Sequence, residues 1–144
     1  MYIQRFFEEI KVGEEVNETL ILTLEDIKNF ANTTGDYNPI HLDGDFAKNY
    51  IFGEPIGHGM WGGAIISRII GTRLPGAGSI YLSKTFKFIK PIRVGDELTI
   101  KLTVSSKNQV KKQVNLEYKI LNYHKETLVR GTATVIPPIK RYFS

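Results

Sequence analysis

Residues 59–74 read GMWGGAIISRIIGTRL, a segment in which apolar side chains would occupy almost every side of a helix. A helix that is apolar nearly all round has to be buried, so this segment predicts the central helix of the core. Gly62, Gly63 and Gly71 lower its helix propensity, and close packing against a sheet must compensate for that loss. No Asp or Glu occurs in 59–73, so the helix itself cannot supply a general base.

Four segments with strand-like alternation follow this helix and indicate an antiparallel sheet. They are SIYLSKTFKFIK, DELTIKLTVSSK, KQVNLEYKIL and TLVRGTATVI, at residues 79–90, 96–107, 112–121 and 127–136, and turn-like stretches separate them. Residues 14–22 are a candidate fifth strand. One long buried helix and a run of strands, without βαβ alternation, predict an α+β fold in which the helix packs on an antiparallel sheet.

Length and composition indicate one globular domain over residues 1–144. The chain has 42% hydrophobic and 24% charged residues, which argues against disorder and against fibrous repeats. It contains no cysteine, so disulfides and thiolate metal sites are excluded. No apolar stretch is long enough to span a bilayer, and the acidic start MYIQRFFEEI lacks the apolar run of a signal peptide. We therefore expect a cytoplasmic protein with no membrane partner.

Charge is distributed unevenly along the chain. Residues 1–50 contain ten acidic and four basic residues, whereas residues 51–144 contain five acidic and fifteen basic ones. The basic part suits nucleic acid or a phosphate-bearing ligand, or it reflects Lys residues that alternate along the solvent face of a sheet. Because no helix concentrates basic residues, nucleic acid is not expected as a partner.

A second, shorter helix leads into a loop that is rich in chemically useful side chains. Thr23 and Asp26 have the spacing of a capping box and predict that this helix begins near residue 24. Gly35 is placed to end it in a left-handed conformation. The helix therefore delivers the loop TTGDYNPIHLD, residues 33–43.

Asp36 and His41 of this loop form the first candidate catalytic pair. Pro39 disfavours helical backbone at Asn38, so we expect a stiff, extended chain between the acid and the histidine. A carboxylate beside a neutral histidine can hold a water molecule and move its proton near pH 7. The alternative is an Asx-turn with a hydrogen-bonded, exposed histidine.

The segment PIGHGM, residues 55–60, provides the second group of candidates. A glycine turn that runs into a helix N-terminus leaves backbone N–H groups free, and the Gly59 N–H is the expected donor to a developing oxyanion. The alternative is a flexible turn that only leads into the buried helix. His58 is either catalytic or a structural hydrogen-bond partner.

Ser67 is the small hydroxyl in the apolar run of the central helix. It either orients a carboxylate or ligand, or bonds back to a carbonyl one turn earlier. A metal site is not expected, because His41, Asp43 and Asp45 alternate but lack a fourth ligand. The sequence contains no phosphate-binding loop, nucleophile elbow or zinc-protease motif.

Residues 30–47, FANTTGDYNPIHLDGDFA, and FGEPIGHGM at 52–60 resemble the signature of the MaoC-like, (R)-specific enoyl-CoA hydratase family. The resemblance extends through GSIYLSKTFKFIKPIRVGDEL, residues 78–98, and covers nearly the whole chain. It implies a hot-dog fold, in which an antiparallel sheet wraps a long central helix. It also implies a homodimer whose sheets join.

The same resemblance implies roles for particular residues. The acid and histidine of the family motif correspond to Asp36 and His41, its oxyanion donor corresponds to Gly59, and its helix hydroxyl corresponds to Ser67. The implied reaction is reversible addition of water to a trans-2-enoyl thioester, which gives an (R)-3-hydroxyacyl thioester. The carrier is coenzyme A or acyl carrier protein, so coenzyme A is part of the substrate and no separate cofactor is implied. The expected supporting or substrate-binding residues are Asn38, Ser67 and His58.

Two rival functions remain open from the sequence. A hot-dog acyl-CoA thioesterase commonly has a carboxylate on the central helix, and this chain has none there. A non-catalytic acyl-CoA-binding regulator would need an added DNA-binding segment and would have no use for Asp36 and His41. Trp61 is expected near the mouth of the acyl pocket, where it would shorten the channel.

Overall fold

The computed structural model describes residues 2–143, which form four α-helices and six strands. The helices are α1 (Leu24–Thr34), α2 (Pro39–Leu42), α3 (Gly44–Lys48) and α4 (Gly59–Thr72), and the strands are β1 (Glu15–Ile21), β2 (Ile80–Lys84), β3 (Lys87–Phe88), β4 (Glu97–Asn108), β5 (Gln113–Leu121) and β6 (Thr127–Ile136). Single 3₁₀ turns lie at Phe7–Glu9 and Lys140–Tyr142. Within residues 2–143 no helix is both long and apolar enough to cross a membrane.

All six strands belong to one antiparallel sheet. Its order is β1-β4-β5-β6-β2, and β3 pairs with β6 beside β2. Side chains of β4 and β5 alternate between buried and more exposed positions, as expected for a sheet with one face on the core and one in solvent. The predicted α+β fold is confirmed, and so is the candidate fifth strand, which is β1.

Helix α4 packs on the inner face of the sheet, and two of its glycines make this close approach possible. A Cβ atom on Gly62 would lie 2.8 Å from Ile120 Cδ1, and one on Gly63 would lie 2.6 Å from Phe86 Cζ. Both distances are too short for a side chain, so the loss in helix propensity is offset by packing. Gly71, in contrast, has open space at its Cβ position.

Helix α1 begins and ends where local signals predicted. The Thr23 hydroxyl accepts a hydrogen bond from the Asp26 N–H at 3.1 Å, and the Asp26 carboxylate accepts one from the Thr23 N–H at 2.9 Å. Gly35 follows the helix with φ of 77°, a left-handed conformation that glycine adopts at little cost. The helix therefore presents the Asp36 loop at a fixed place.

The strand predicted over residues 79–90 is broken in two, which corrects the sequence-based boundary. The register against β6 shifts between Tyr81 and Ser83, and β2 and β3 are separated by two residues. At the break, the Thr85 carbonyl accepts a hydrogen bond from the Tyr118 hydroxyl. Because this carbonyl is bonded to a side chain, it does not continue the regular backbone hydrogen bonding between strands.

The prediction for Trp61 is wrong. Its side chain is buried in the hydrophobic core, with 7% of its surface exposed. The indole therefore packs in the core and does not narrow the mouth of a pocket.

Candidate active site

The loop after α1 turns back on itself within a few residues. The backbone is extended at Asn38, with φ of −53° and ψ of 122°, but the next four residues, Pro39–Leu42, form the helical turn α2. The expectation of an extended chain from acid to histidine is therefore wrong. Proline suits the first position of a helix because its missing N–H needs no partner there. Asn38 supports the turn by accepting the Ile40 N–H at 3.2 Å.

Asp36 makes the Asx-turn that the sequence suggested as an alternative. Its Oδ1 accepts the Asn38 N–H at 3.2 Å, and its own N–H donates to Thr34 Oγ1 at 3.2 Å. The side chain is exposed, so its remaining lone pairs face the space beside the loop. The Asp36 carboxylate can form this turn and still react, because one hydrogen bond orients the group and leaves its other lone pairs available.

His41 is buried, with 9% of its surface exposed, which contradicts the alternative of an exposed histidine. Its Nδ1 lies 2.8 Å from the Ile56 carbonyl oxygen. A carbonyl only accepts, so Nδ1 carries the proton and Nε2 of the neutral ring is left as an acceptor. Burial lowers the pKa of His41, and its hydrogen bond to Ile56 opposes this effect in part. The neutral, acceptor form is thus the one that the site favours.

His58 supports the loop that contains Asp36 and His41 through a ring contact and a hydrogen bond. It is almost fully buried, at 1% exposure, and its ring stacks on that of His41 with centroids 3.9 Å apart and an interplanar angle of 29°. Its Nε2 donates to the Asp36 carbonyl oxygen at 3.0 Å. Its Nδ1 is buried and has no hydrogen-bond partner among residues 2–143. These contacts fit the structural alternative for His58, because they tie the Asp36 backbone to the start of α4.

The fold brings Asp36, His41 and His58 together. One oxygen or nitrogen atom from each lies within 4.8 Å of the other two. This is not the trio considered from the sequence, since Asp43 instead caps α3 by accepting the Phe46 N–H at 3.0 Å. These three side chains are the residues of this site that could serve as ligands to a metal ion. That the chain works without a metal or separate cofactor stays a prediction.

Gly59 opens α4 at the edge of an apolar cavity. The cavity has a volume of about 350 Å³ and is lined by His41, Phe52, Ile56, Gly57, Gly59, Met60, Phe88, Ile89, Lys90, Pro91, Ile92 and Val129. The first N–H groups of a helix have no partner inside it, and they carry the positive end of its dipole. A Cβ atom on Gly59 would lie 2.7 Å from Phe88 Cε1. Glycine is therefore needed for the N–H of this turn to reach the cavity wall.

Ser67 lies in a different cavity from His41 and Gly59. That second cavity, of about 540 Å³, also contains Phe30, Thr34, Tyr81 and Lys84. The carbonyl one turn before Ser67, that of Gly63, accepts a hydrogen bond from Lys84 Nζ at 2.9 Å. A single chain therefore does not bring Ser67 to the lining of the first cavity, where its predicted partners His41 and Gly59 lie.

Lys84 is a residue that the sequence reasoning missed. Its ammonium lies 4.9–5.5 Å from the ring centroids of Tyr81, Phe86 and Tyr118. Burial lowers its pKa to about 8. Regular alternation gave no sign of this, because the register shift between Tyr81 and Ser83 puts Lys84 on the same, more buried side of the strand as Tyr81.

The family described as MaoC like domain matches residues 7–124. A protein of Rhodospirillum rubrum named (R)-specific enoyl-CoA hydratase is 36% identical over 138 residues, which span 96% of this chain and 95% of that protein. A protein of the same name from Aeromonas caviae is 34% identical over 129 residues, or 90% of this chain and 96% of that protein.

Among solved structures, the R-hydratase of Pseudomonas aeruginosa in its unliganded form superimposes with a TM-score of 0.89 at 37% identity. The superposition covers 96% of this chain and 89% of that one. A second R-hydratase structure, from Aeromonas caviae, gives a TM-score of 0.88 at 34% identity over 91% of this chain and 99% of that one. The predicted hot-dog architecture and the predicted family are both confirmed, and the chain belongs to the MaoC-like family.

Proposed function

We propose that this chain is an (R)-specific enoyl-CoA hydratase. It adds water reversibly across C2 and C3 of a trans-2-enoyl thioester and gives an (R)-3-hydroxyacyl thioester. The observation that carries the proposal is that Asp36 and His41 bring ligand atoms within 4.8 Å of each other, and that His41 and Gly59, the first residue of α4, line one apolar cavity. Relatives that align with at least 90% of the chain bear the name of this activity, which supports the proposal.

Asp36 and His41 activate the water. Nε2 of neutral His41 accepts one hydrogen of the water and orients its oxygen toward C3, while Asp36 takes the other as a proton. The new O–C3 bond forms as the C2–C3 π electrons move toward the thioester oxygen. The proton held by the pair is then returned to C2, so one water is added and both groups recover their starting state.

Gly59 stabilises the negative charge that builds on the thioester oxygen. Its N–H is the first of α4, so the helix dipole adds to the hydrogen bond. A preorganised donor of this kind lowers the barrier by on the order of 3 kcal/mol. The apolar lining of the cavity strengthens the effect because it excludes water from the charge.

The composition of the central helix gives less support to the alternative function, a thioesterase. Residues 59–72 contain no Asp or Glu, so a base for direct hydrolysis would have to come from elsewhere. The acid of the site instead lies on the loop beside His41, where it can serve a water aimed at C3. A non-catalytic binding protein would not require this pair.

The proposal includes a homodimer whose sheets join along β2. This edge strand exposes Ile80 and Leu82 to solvent, and the cavity that contains Ser67 opens beside it. Joining two β2 strands would satisfy both edges and cover apolar surface. A cytoplasmic location remains a prediction from the sequence.

The first test is an assay of crotonyl-CoA hydration followed by loss of enoyl-thioester absorbance, with the product's configuration assigned. Asp36→Asn should lower kcat by about 10²- to 10⁴-fold because the general base is lost. Asp45→Asn removes an exposed acid outside the site and is the matched control. A chelator should leave the rate unchanged. Release of free thiol without hydration would instead support the thioesterase.

A further inference from the structure

The cavity that contains Ser67 is apolar apart from a few side chains that can donate hydrogen bonds. Its polar lining residues are Thr34, Ser67, Tyr81, Ser83 and Lys84, and among residues 2–143 no acidic residue lines it. The Thr34 hydroxyl is already bonded within α1. An apolar space with hydrogen-bond donors, one cation and no acid complements an anionic group better than a neutral one.

The ammonium of Lys84 has hydrogen-bonding capacity that the chain does not use. Its Nζ donates to the Gly63 carbonyl at 2.9 Å and makes no ion pair within residues 2–143. An ammonium has three N–H donors, so two remain available. The rings of Tyr81, Phe86 and Tyr118 stabilise the charge by cation–π contact. Burial still lowers the pKa of Lys84 to about 8, so the rings do not fully replace the lost water.

The Tyr81 hydroxyl is a second donor that faces this cavity. Burial raises the pKa of Tyr81, and the Ser67 hydroxyl is close enough to oppose that rise in part. The Tyr81 oxygen is nevertheless buried and has no hydrogen-bond partner of good geometry among residues 2–143. Buried polar atoms normally have a partner. Tyr81 and Lys84 lie on the more buried side of β2 and Ser67 lies on α4, so both walls of the cavity supply donors.

These donors lie within reach of an acyl chain whose thioester oxygen is bound at Gly59. Met60 lines both cavities, which therefore adjoin at this residue. Its flexible side chain is exposed and can move aside for a ligand. Lys84 is bonded to the carbonyl of Gly63, which follows Gly59 by one helical turn, or about 6 Å along the axis. A short acyl chain that passes Met60 therefore ends beside Lys84.

A carboxylate is the chain end that fits these donors. It only accepts hydrogen bonds, and its two oxygens can take several at once. The two unused N–H groups of Lys84 and the hydroxyls of Tyr81 and Ser67 would meet those oxygens. A terminal methyl group in the same place would displace water from the ammonium and give it no partner. The cavity therefore both favours the acidic chain end and disfavours the apolar one.

We propose that Lys84, together with the hydroxyls of Tyr81 and Ser67, binds a carboxylate at the far end of the acyl chain, so that the preferred substrate is a short dicarboxylic enoyl thioester. The inference rests on the proposed hydratase function and specifies the class of acyl group on which that function acts.

The test compares trans-2-hexenoyl-CoA with trans-2-hexenedioyl-CoA, the dicarboxylic thioester of the same chain length. We expect wild type to prefer the dicarboxylic thioester. Lys84→Met should lower kcat/KM for it by about 10- to 100-fold, the size of a hydrogen bond to a charged group, without lowering kcat/KM for the hexenoyl thioester. Lys87→Met removes the same charge from an exposed position nearby. This matched control should leave both values unchanged.

The pH dependence provides a readout that a purely structural role of Lys84 would not give. Because the pKa of Lys84 is about 8, the preference for the dicarboxylic thioester should decline as pH rises through about 8 and the ammonium loses its proton. Tyr81 and Tyr118, the other titratable groups in contact with it, have raised pKa values and stay neutral there. Lys84→Arg should keep its preference over this range, because a guanidinium stays charged.

Calorimetric titration of Asp36→Asn separates recognition from chemistry, since this variant should bind both thioesters without hydrating them. Tighter binding of the dicarboxylic thioester that is lost in Asp36→Asn/Lys84→Met, at an unchanged unfolding temperature, supports the proposal. Equal or weaker binding and hydration of the dicarboxylic thioester, or a preference that Lys84→Met leaves intact, overturns it. If Asp36→Asn selects that thioester through Lys84 but wild type hydrates neither, the proposed function fails and the binding site stands.

Discussion

At the scale of single residues, His41 shows how a loop histidine becomes a defined acceptor. The hydrogen bond from Nδ1 to the Ile56 carbonyl selects the tautomer, and the stacked ring of His58 fixes the plane. Asp36 is oriented by its own turn and by the hydrogen bond that its carbonyl accepts from His58. The geometry of the pair therefore depends on the backbone around it as much as on the two side chains.

The first prediction concerns pH. Because burial lowers the pKa of His41, we expect kcat/KM to rise with pH through an apparent pKa below the usual 6.5 and to be level near pH 7. The unfolded chain binds a proton to His41 at higher pH than the folded chain does, so stability also falls as pH is lowered from about 6.5 through the folded pKa. An NMR titration of the His41 ring measures this directly, and a pKa above 6.5 would contradict the assignment.

The second prediction separates the two roles open to His58. His58→Gln can still donate to the Asp36 carbonyl, whereas His58→Phe keeps the ring contact and leaves that carbonyl without a partner. Loss of a hydrogen bond costs about 0.5–1.5 kcal/mol, so the Phe variant should lose more stability and at least about tenfold in kcat, while Gln stays nearer wild type. Steady-state kinetics and thermal unfolding test this. Equal loss of kcat in both variants, at unchanged stability, would mean that the ring takes part in the chemistry.

Local sequence patterns identify candidate residues for the site better than they predict the contacts of those residues. The spacing of Asp36 and His41, and the glycine before Met60, follow from local patterns. The contact between His58 and the Asp36 carbonyl joins residues 22 apart, and no local pattern encodes it. For the same reason the sequence could not decide between a catalytic His58 and a structural one.

At the scale of elements, the start of α4 is shaped by the contact between Gly59 and Phe88. A methyl group at position 59 would lie 2.7 Å from Phe88 Cε1, so either the ring or the helix start must move. We expect Gly59→Ala to lower kcat by about 10²-fold or more, the loss seen when one oxyanion donor is removed. Gly59→Ala/Phe88→Leu should recover part of it, and Phe88→Leu alone serves as the control. If kcat of the double variant does not recover, the loss in Gly59→Ala does not arise from the contact with Phe88.

Two other glycines of α4 should respond in opposite directions to alanine. Gly71 has open space at its Cβ position and no left-handed φ, so Gly71→Ala should stabilise the chain by about 0.5–1 kcal/mol. Gly62→Ala would push against Ile120 and should destabilise it by about 1–3 kcal/mol. Chemical denaturation of the two variants measures the difference. If Gly71→Ala instead destabilises the chain, the space at the Cβ position is not free to accept a methyl group.

The predictability of each element depends on how local its cause is. Helix α1 was predicted closely because Thr23, Asp26 and Gly35 act within the helix ends. The break between β2 and β3 was missed because its cause is a hydrogen bond between Tyr118 and Thr85, which are 33 residues apart. Helix α2 is harder to predict because Pro39 has two opposite effects: it disfavours helical backbone at Asn38 before it, and it favours the first turn of a helix that begins at the proline itself.

At the scale of the whole molecule, the single chain leaves the predicted site divided. Ser67 lies in the cavity beside β2, and His41 and Gly59 lie in the other. The exposed apolar edge of β2 and the cavity next to it are the surfaces that a second copy would cover. A dimer joined at β2 would therefore enclose the Ser67 cavity and could place it against the site residues of the partner.

The last prediction tests this assembly with two edge strands of one sheet. Leu82 on β2 and Ile21 on β1 are similarly exposed, at 49% and 52%, and both strands lie at edges of the sheet. A lysine on a joining edge would bury an unpaired charge, while one on a free edge would face solvent. We expect wild type and Ile21→Lys to have about twice the chain mass of 16.4 kDa by light scattering, and Leu82→Lys to be a monomer with reduced activity. If Ile21→Lys alone dissociates, the sheets join along β1, and if the wild type is itself a monomer, the Ser67 cavity is open in solution.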